Sequence, residues 1–146
     1  MATYSFNDVV AAITGTGGTV NLGAGAAMAA EGISIDPVED KNVMMVGADG
    51  QVMHSLIASS AATVTVRLLK TSPTNRLLQE MFNVQTASAA NHGSNVITIR
   101  DVARGDTITL TDVAFKNSPS LTYAKEGGTV EWIFDAGKSS RILGGV

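Results

Sequence analysis

The sequence predicts a mainly β protein, an antiparallel β-sandwich or barrel with one flanking α-helix. Three observations carry this. About eight short runs alternate apolar and polar residues with the period of two that a half-buried strand requires. Turn residues separate them at roughly 8–15-residue intervals, the rhythm of an antiparallel fold. A single stretch, Ser72 to Val84, has the apolar spacing of a helix instead.

Tyr4 to Ile13 reads as a first strand, and Gly15-Thr16-Gly17-Gly18 as a turn into a short second one at Val20 and Leu22. Gly23 to Ala30 is almost all glycine and alanine; a helical turn, a loop and backbone held against a neighbour all fit it. Ile33 to Asp36 alternates and stops at Pro37, which cannot continue a ladder. Val43 to Val46 and Gln51 to Ile57 flank Gly47-Ala48-Asp49-Gly50, a hairpin signal in which Asp-Gly suits a primed turn.

Thr63, Thr65 and Arg67 alternate with Val64, Val66 and Leu68. Ser72 can then cap a helix by accepting a backbone N–H, and Pro73 suits its first position, where no donor is needed. Leu77, Leu78, Met81 and Phe82 form the stripe that must lie on the strands, because a helix of about 10–12 residues is marginal alone. Thr86 to Asn95 reads as a loop and Val96 to Arg100 as a strand. In Thr107 to Phe115, Ile108 and Leu110 share one parity while Val113 and Phe115 have the other, so a bulge is expected near Thr111-Asp112. In the last strand Val130, Trp132 and Phe134 point inward and Glu131 and Asp135 outward; Lys138 to Val146 reads as a surface tail.

At 146 residues the chain is expected to form one domain, residues 1–146, with a real core. There is no cysteine, hence no disulfide and no thiolate nucleophile or metal ligand. No basic start precedes an apolar run and no stretch of about 18 apolar residues exists, so neither a secretory signal nor a membrane span is expected. The net charge of −3 lacks the basic patch of a protein that grips nucleic acid. Charged residues make up 16%, against about 25% in an average soluble protein, which points to a surface partly covered by other chains.

Chemical motifs are weak. The Gly15–Thr19 stretch lacks the Lys-Ser/Thr ending of a phosphate loop and no helix follows it. His54 and His92 have no second histidine at ligand spacing, and no serine sits in a Gly-x-Ser-x-Gly elbow. Asp36, Glu39 and Asp40 are the densest acidic patch, but Pro37 and Val38 interrupt the alternation a calcium loop needs. Met44, Met45 and Met53 flank the hairpin turn; methionine fills cores, and on a protruding hairpin it makes an adaptable contact surface. The residues therefore predict no catalytic, cofactor-binding or metal site.

Taken together, Tyr4-Ser5-Phe6-Asn7-Asp8-Val9, Ile35-Asp36-Pro37 with Glu39-Asp40, Gly47-Ala48-Asp49-Gly50, and Thr63-Val64-Thr65-Val66-Arg67-Leu68-Leu69-Lys70-Thr71-Ser72-Pro73 resemble the inner tail tube proteins of contractile-tailed bacteriophages. The resemblance spans nearly the whole chain and its motifs are structural. It implies a virion protein of the tail, assembled in the host cytoplasm. Six copies would close a ring, and rings would stack head to tail into a hollow tube inside a sheath, with baseplate and terminator proteins as further partners. DNA would pass through the lumen without sequence-specific binding.

On this picture Glu39, Asp40, Met44, Met45, Asp49 and Met53 are the candidates for contact between rings. Asp36, Glu39, Asp40, Glu131 and Asp135 are the acidic candidates for the lumen. The competing expectation is a monomeric β-barrel that holds a small apolar ligand. It would need a cavity lined by large side chains, and only 5% of residues are aromatic.

Overall fold

Strand β6 (Ala62–Leu69) shows how the alternation is used. Val64, Val66 and Leu68 are fully buried, while Thr63 and Arg67 on the opposite face are half-buried. It pairs in eight successive positions with β9 (Thr129–Ile142), bringing Val66 beside Trp132 and Val64 beside Phe134. The structure, a computed structural model, describes residues 3–25 and 28–144, with residues 28–31 as backbone only.

The other strands are β1 (Val9–Gly15), β2 (Gly18–Asn21), β3 (Met28–Pro37), β4 (Asn42–Val46), β5 (Val52–Leu56), β7 (Asn95–Asp101) and β8 (Asp106–Phe115). Seven form one antiparallel sheet in the order β2-β1-β7-β8-β9-β6-β3; β4 and β5 form a separate hairpin. Ile13 and Leu22 near one margin and Val64 and Leu68 near the other belong to one core and are fully buried. Helix α1 (Thr74–Thr86) has 13 residues and is thus about 20 Å long, too short to cover seven strands about 4.8 Å apart. The two arms of the sheet therefore cover each other, and the helix closes one side.

The helix begins one position later than expected, at Thr74 with Pro73 (φ −66°) as its N-cap, although the Ser72 hydroxyl does accept the Thr74 N–H at 3.2 Å. Its buried row is Thr74, Leu78, Met81 and Gln85; Leu77, expected in the stripe, is 39% exposed, and Phe82 is half-buried. Two polar anchors set this rotation. The Trp132 indole N–H donates to Asn75 Oδ1 at 3.0 Å. Gln85 and Asn95 exchange two hydrogen bonds of 2.6 Å, and Gln85 also donates to Thr16 O at 2.9 Å. Gly15 makes room for this: a Cβ there would fall 1.7 Å from Asn95 Oδ1. Phe82, Phe115, Trp132 and Phe134 meet in edge-on and tilted contacts with centroids 4.9–5.9 Å apart.

The expected bulge is present. Asp112 has φ +53°, and the β7–β8 register slips between Asn95↔Val113 and Ile97↔Leu110. Elsewhere the structure corrects the sequence reading. Phe6–Asp8 is a 3-10 turn, capped by the Ser5 hydroxyl, so the first strand starts at Val9. Asn95 opens β7 rather than ending a loop, and β9 continues to Ile142 where a tail was expected. Within Gly23 to Ala30, residues 28–30 already belong to β3, and residues 26 and 27 lie outside the described residues.

The accessible surface is 8866 Å², against roughly 7,000 Å² for a compact monomer of this mass. Among the described residues no helix is long and apolar enough to cross a membrane.

The buried amide pair gives a stability test. Gln85→Ala leaves the Asn95 amide buried and half-satisfied, and is expected to lower stability by about 1–3 kcal/mol. Glu80→Ala, on the exposed face of the same helix, is expected to cost less than about 0.5 kcal/mol. Urea titration of the two variants compares them.

Candidate assembly surfaces

The β4–β5 hairpin stands away from the core. Its pairs run from Asn42↔Leu56 to Val46↔Val52, and nine of its ten strand residues are exposed, Ser55 alone being intermediate. Asn42, Met44, Val46, Val52, His54 and Leu56 share one face; Val43, Met45, Met53 and Ser55 share the other. Met45 is 62% exposed and Leu56 86%. The polar exceptions on the first face are joined, Asn42 Nδ2 lying 3.2 Å from His54 Nδ1.

The hairpin turn differs from the expected primed two-residue form. Gly47 N–H donates to Gln51 O at 2.7 Å and Gly50 N–H to Gly47 O at 3.0 Å, with Gly50 alone at positive φ (+85°). This is a three-residue loop with glycine in the left-handed position. Asp49 stays within the ordinary φ range and its carboxylate accepts the Gln51 N–H at 3.1 Å. At the root, Ile57 N–H donates to Lys41 O at 2.9 Å.

These contacts distribute the expected residues. Met44, Met45 and Met53 lie on the hairpin strands and Asp49 at the tip. Glu39 and Asp40 are exposed at the root, so a five-residue strand of about 17 Å separates them from Asp49. Within the expected Glu39 to Met53 segment the sequence reading singled out the methionines and carboxylates; Val43, Val46 and Val52 inside it, and Leu56 just beyond it, are exposed apolar residues it did not single out. The unbroken apolar run Val43 to Val46 was the signal, since a strand with one wet face alternates.

The second surface is the outer face of β3, β6 and β9. Cross-strand pairing sets Asp36, Thr63 and Asp135 in one row. In the neighbouring rows Arg67 Nε lies 3.4 Å from Glu131 Oε2, and Arg67 donates to Ser34 Oγ at 3.0 Å. Three of the five acidic candidates thus share a sheet face, and Arg67 is a counter-charge the sequence reading missed. Glu39 and Asp40 lie past Pro37, off the sheet. Among the described residues the sheet ends in two margins, β2 and β3, each hydrogen-bonded to a strand on one side only. Among the described residues no cluster of His, Asp or Glu is placed to hold a metal ion.

The family model described as the Bacteriophage PhiTE tail tube protein matches residues 1–144. The chain belongs to this tail tube family. Comparison with curated proteins finds no match. Among solved structures, this tail tube protein is similar to a chain of the PVC sheath–tube complex of an extracellular contractile injection system in its extended state. The TM-score is 0.59 at 11% identity, over 97% of this chain and 92% of the other. A PVC sheath/tube terminator chain matches with TM-score 0.59 and 14% identity, over 97% and 98% of the two chains. A chain of the anti-feeding prophage tube-terminating cap gives 0.56 and 14%, over 98% and 94%. At these identities the likeness is one of fold.

Because Met45 is 62% exposed and lies outside the core, Met45→Asp is expected to change unfolding free energy by less than about 0.5 kcal/mol. Arg67→Ala, which breaks a half-exposed pair, is expected to cost about 0.2–1 kcal/mol. Thermal or urea unfolding at low protein concentration measures both.

Proposed function

We propose that this tail tube protein closes into hexameric rings that stack head to tail into the hollow inner tube of a contractile tail, through which phage DNA passes. The observation that carries this is the hairpin. An isolated two-stranded hairpin with exposed apolar faces is at best marginal in water, and burial against sister copies stabilises it. The unpaired margins of β2 and β3 add to the case, since joining margins around a ring satisfies their N–H and C=O groups and removes an aggregation hazard. Head-to-tail contacts repeat without limit, as a tube requires.

The role is structural, with shape rather than catalysis as the working property. A sheath outside the tube and terminator and baseplate proteins at its ends are the fitting partners. The family fits a place in the virion tail, and assembly would occur in the host cytoplasm. The hairpin, with Asp49 at its tip and Glu39 and Asp40 at its root, makes the contact between rings. The outer face with Asp36, Glu131 and Asp135 lines the channel, where carboxylates repel phosphates and let DNA slide, since binding grows with each basic contact.

Two measurements test this. Electron microscopy of the purified protein is expected to show hollow rods or six-fold annuli; a lone species of 15.0 kDa in size-exclusion chromatography speaks for the monomeric ligand-binding barrel instead. Asp36→Lys with Asp135→Lys is expected to leave tubes that assemble yet deliver DNA poorly. Unchanged delivery removes the acidic-lumen assignment.

A further inference from the structure

Three segments far apart in the chain meet where the hairpin root joins the sandwich, and they enclose a cavity of about 270 Å³. Glu39, Lys41, Ser59, Ser60, Ser139 and Arg141 are among its walls. The β8–β9 pairing sets Ser139 beside Leu110 and Arg141 beside Ile108, so both stand on the core side of their arm. There they reach across to the opposite arm. Arg141 Nη2 donates to Ile35 O of β3 at 3.4 Å, and the Ser139 hydroxyl donates to Ser60 O at 2.8 Å. From the hairpin side Lys41 Nζ donates to Ile57 O at 3.3 Å and to Ala58 O at 3.5 Å.

These bonds position the two cations without exhausting them. An ammonium has three donors and a guanidinium five, so Lys41 keeps an N–H free and Arg141 several. The Ser59 hydroxyl accepts the Ala61 N–H at 3.3 Å and keeps its own proton to donate. Among the described residues the one ion pair is Arg67–Glu131, so no paired carboxylate neutralises Lys41 or Arg141. Glu39 alone opposes them in the cavity, although the chain as a whole carries a net charge of −3. Volume sets the class of occupant. Drug-sized ligands fill roughly 300–1,000 Å³ and a water about 30 Å³. A cavity of about 270 Å³ suits a small ion with part of its hydration shell.

We infer that this cavity binds a small oxyanion, through phosphate or carboxylate oxygens, between Lys41 and Arg141 with the Ser59 hydroxyl donating to it. Charge-assisted bonds are the strong ones, and a guanidinium offers a flat fork to two oxygens at once. Carbonyls already hold both cationic groups, so binding orders little that was free. Both side chains are exposed, and solvent screening sets the affinity in the millimolar range. The walls come from the hairpin root and from the sandwich, so a bound anion ties the two together. The site belongs to the single chain and stands apart from the tube reading.

Equilibrium dialysis of dissociated subunits tests this, with radiolabelled phosphate and citrate titrated separately at an ionic strength fixed by sodium chloride. Saturable binding of one anion per chain is expected, and the tighter of the two anions identifies the oxygens that fill the site. Lys41→Gln and Arg141→Gln are each expected to weaken binding by at least about tenfold. Arg76→Gln, which removes an exposed cation on the helix, is expected to leave it unchanged. Glu39→Gln is expected to tighten binding, because a repelling carboxylate is gone, and misfolding cannot produce such a gain. Binding of neither anion, or uptake that never saturates, overturns the inference. So does equal loss in the Arg76 variant, or unchanged affinity in the Lys41 and Arg141 variants. Failure of the subunits to form tubes leaves it standing.

Discussion

The ladder between β6 and β9 is the constraint on which the rest of the molecule depends. Its eight pairs put Val64, Val66 and Leu68 beside Phe134, Trp132 and Val130, which is the centre of the core. The same ladder fixes what the outer face presents, because a strand that turns its apolar residues inward must turn the alternate ones outward. Arg67 therefore meets Glu131, and Asp135 joins the row of Thr63 and Asp36. Trp132 also holds the helix through Asn75. One pairing thus determines a core, a helix seat and a polar sheet face together.

The hairpin stands outside that economy. It has its own ladder and a well-bonded turn, and none of its strand residues belongs to the buried core. A chain that folds well everywhere else does not expose seven large apolar residues on ten positions without a use for them. These side chains contribute to a surface larger than that of a compact monomer of this mass.

Much of this was legible in the residues, and the gaps have physical causes. β6, the inward row of β9 and the bulge at Asp112 follow from parity alone, which is local information. The far half of β9, Gly137 to Ile142, has no strand-forming pattern; pairing with β8 holds it extended, and that partner lies many residues away. Ser5 draws Asn7 into a 3-10 turn through its hydroxyl, a local bond that competes with the ladder and defeats the apparent alternation of Tyr4 and Phe6. The rotation of the helix escaped because Gln85 and Asn95, polar and apparently peripheral, are buried only by virtue of each other. At the assembly surfaces the methionines were visible, whereas Arg67 beside Glu131 required knowing the register.

The left-handed residue at Asp112 sets the phase of half the protein. Before it, β8 turns Leu110 into the core; after it, Val113 and Phe115. Three positions separate Leu110 from Val113, an odd step that only the extra residue reconciles with a single buried face. Lengthening or shortening the chain at Thr111 to Val113 would swap inside for outside along an entire arm of the sheet. The irregular segment from Lys116 to Gly128, which carries no strand register, can absorb a residue at lower cost. Variation in length is thus channelled to one side of Phe115 and barred from the other, so the molecule counts residues strictly where its two arms are brought into step.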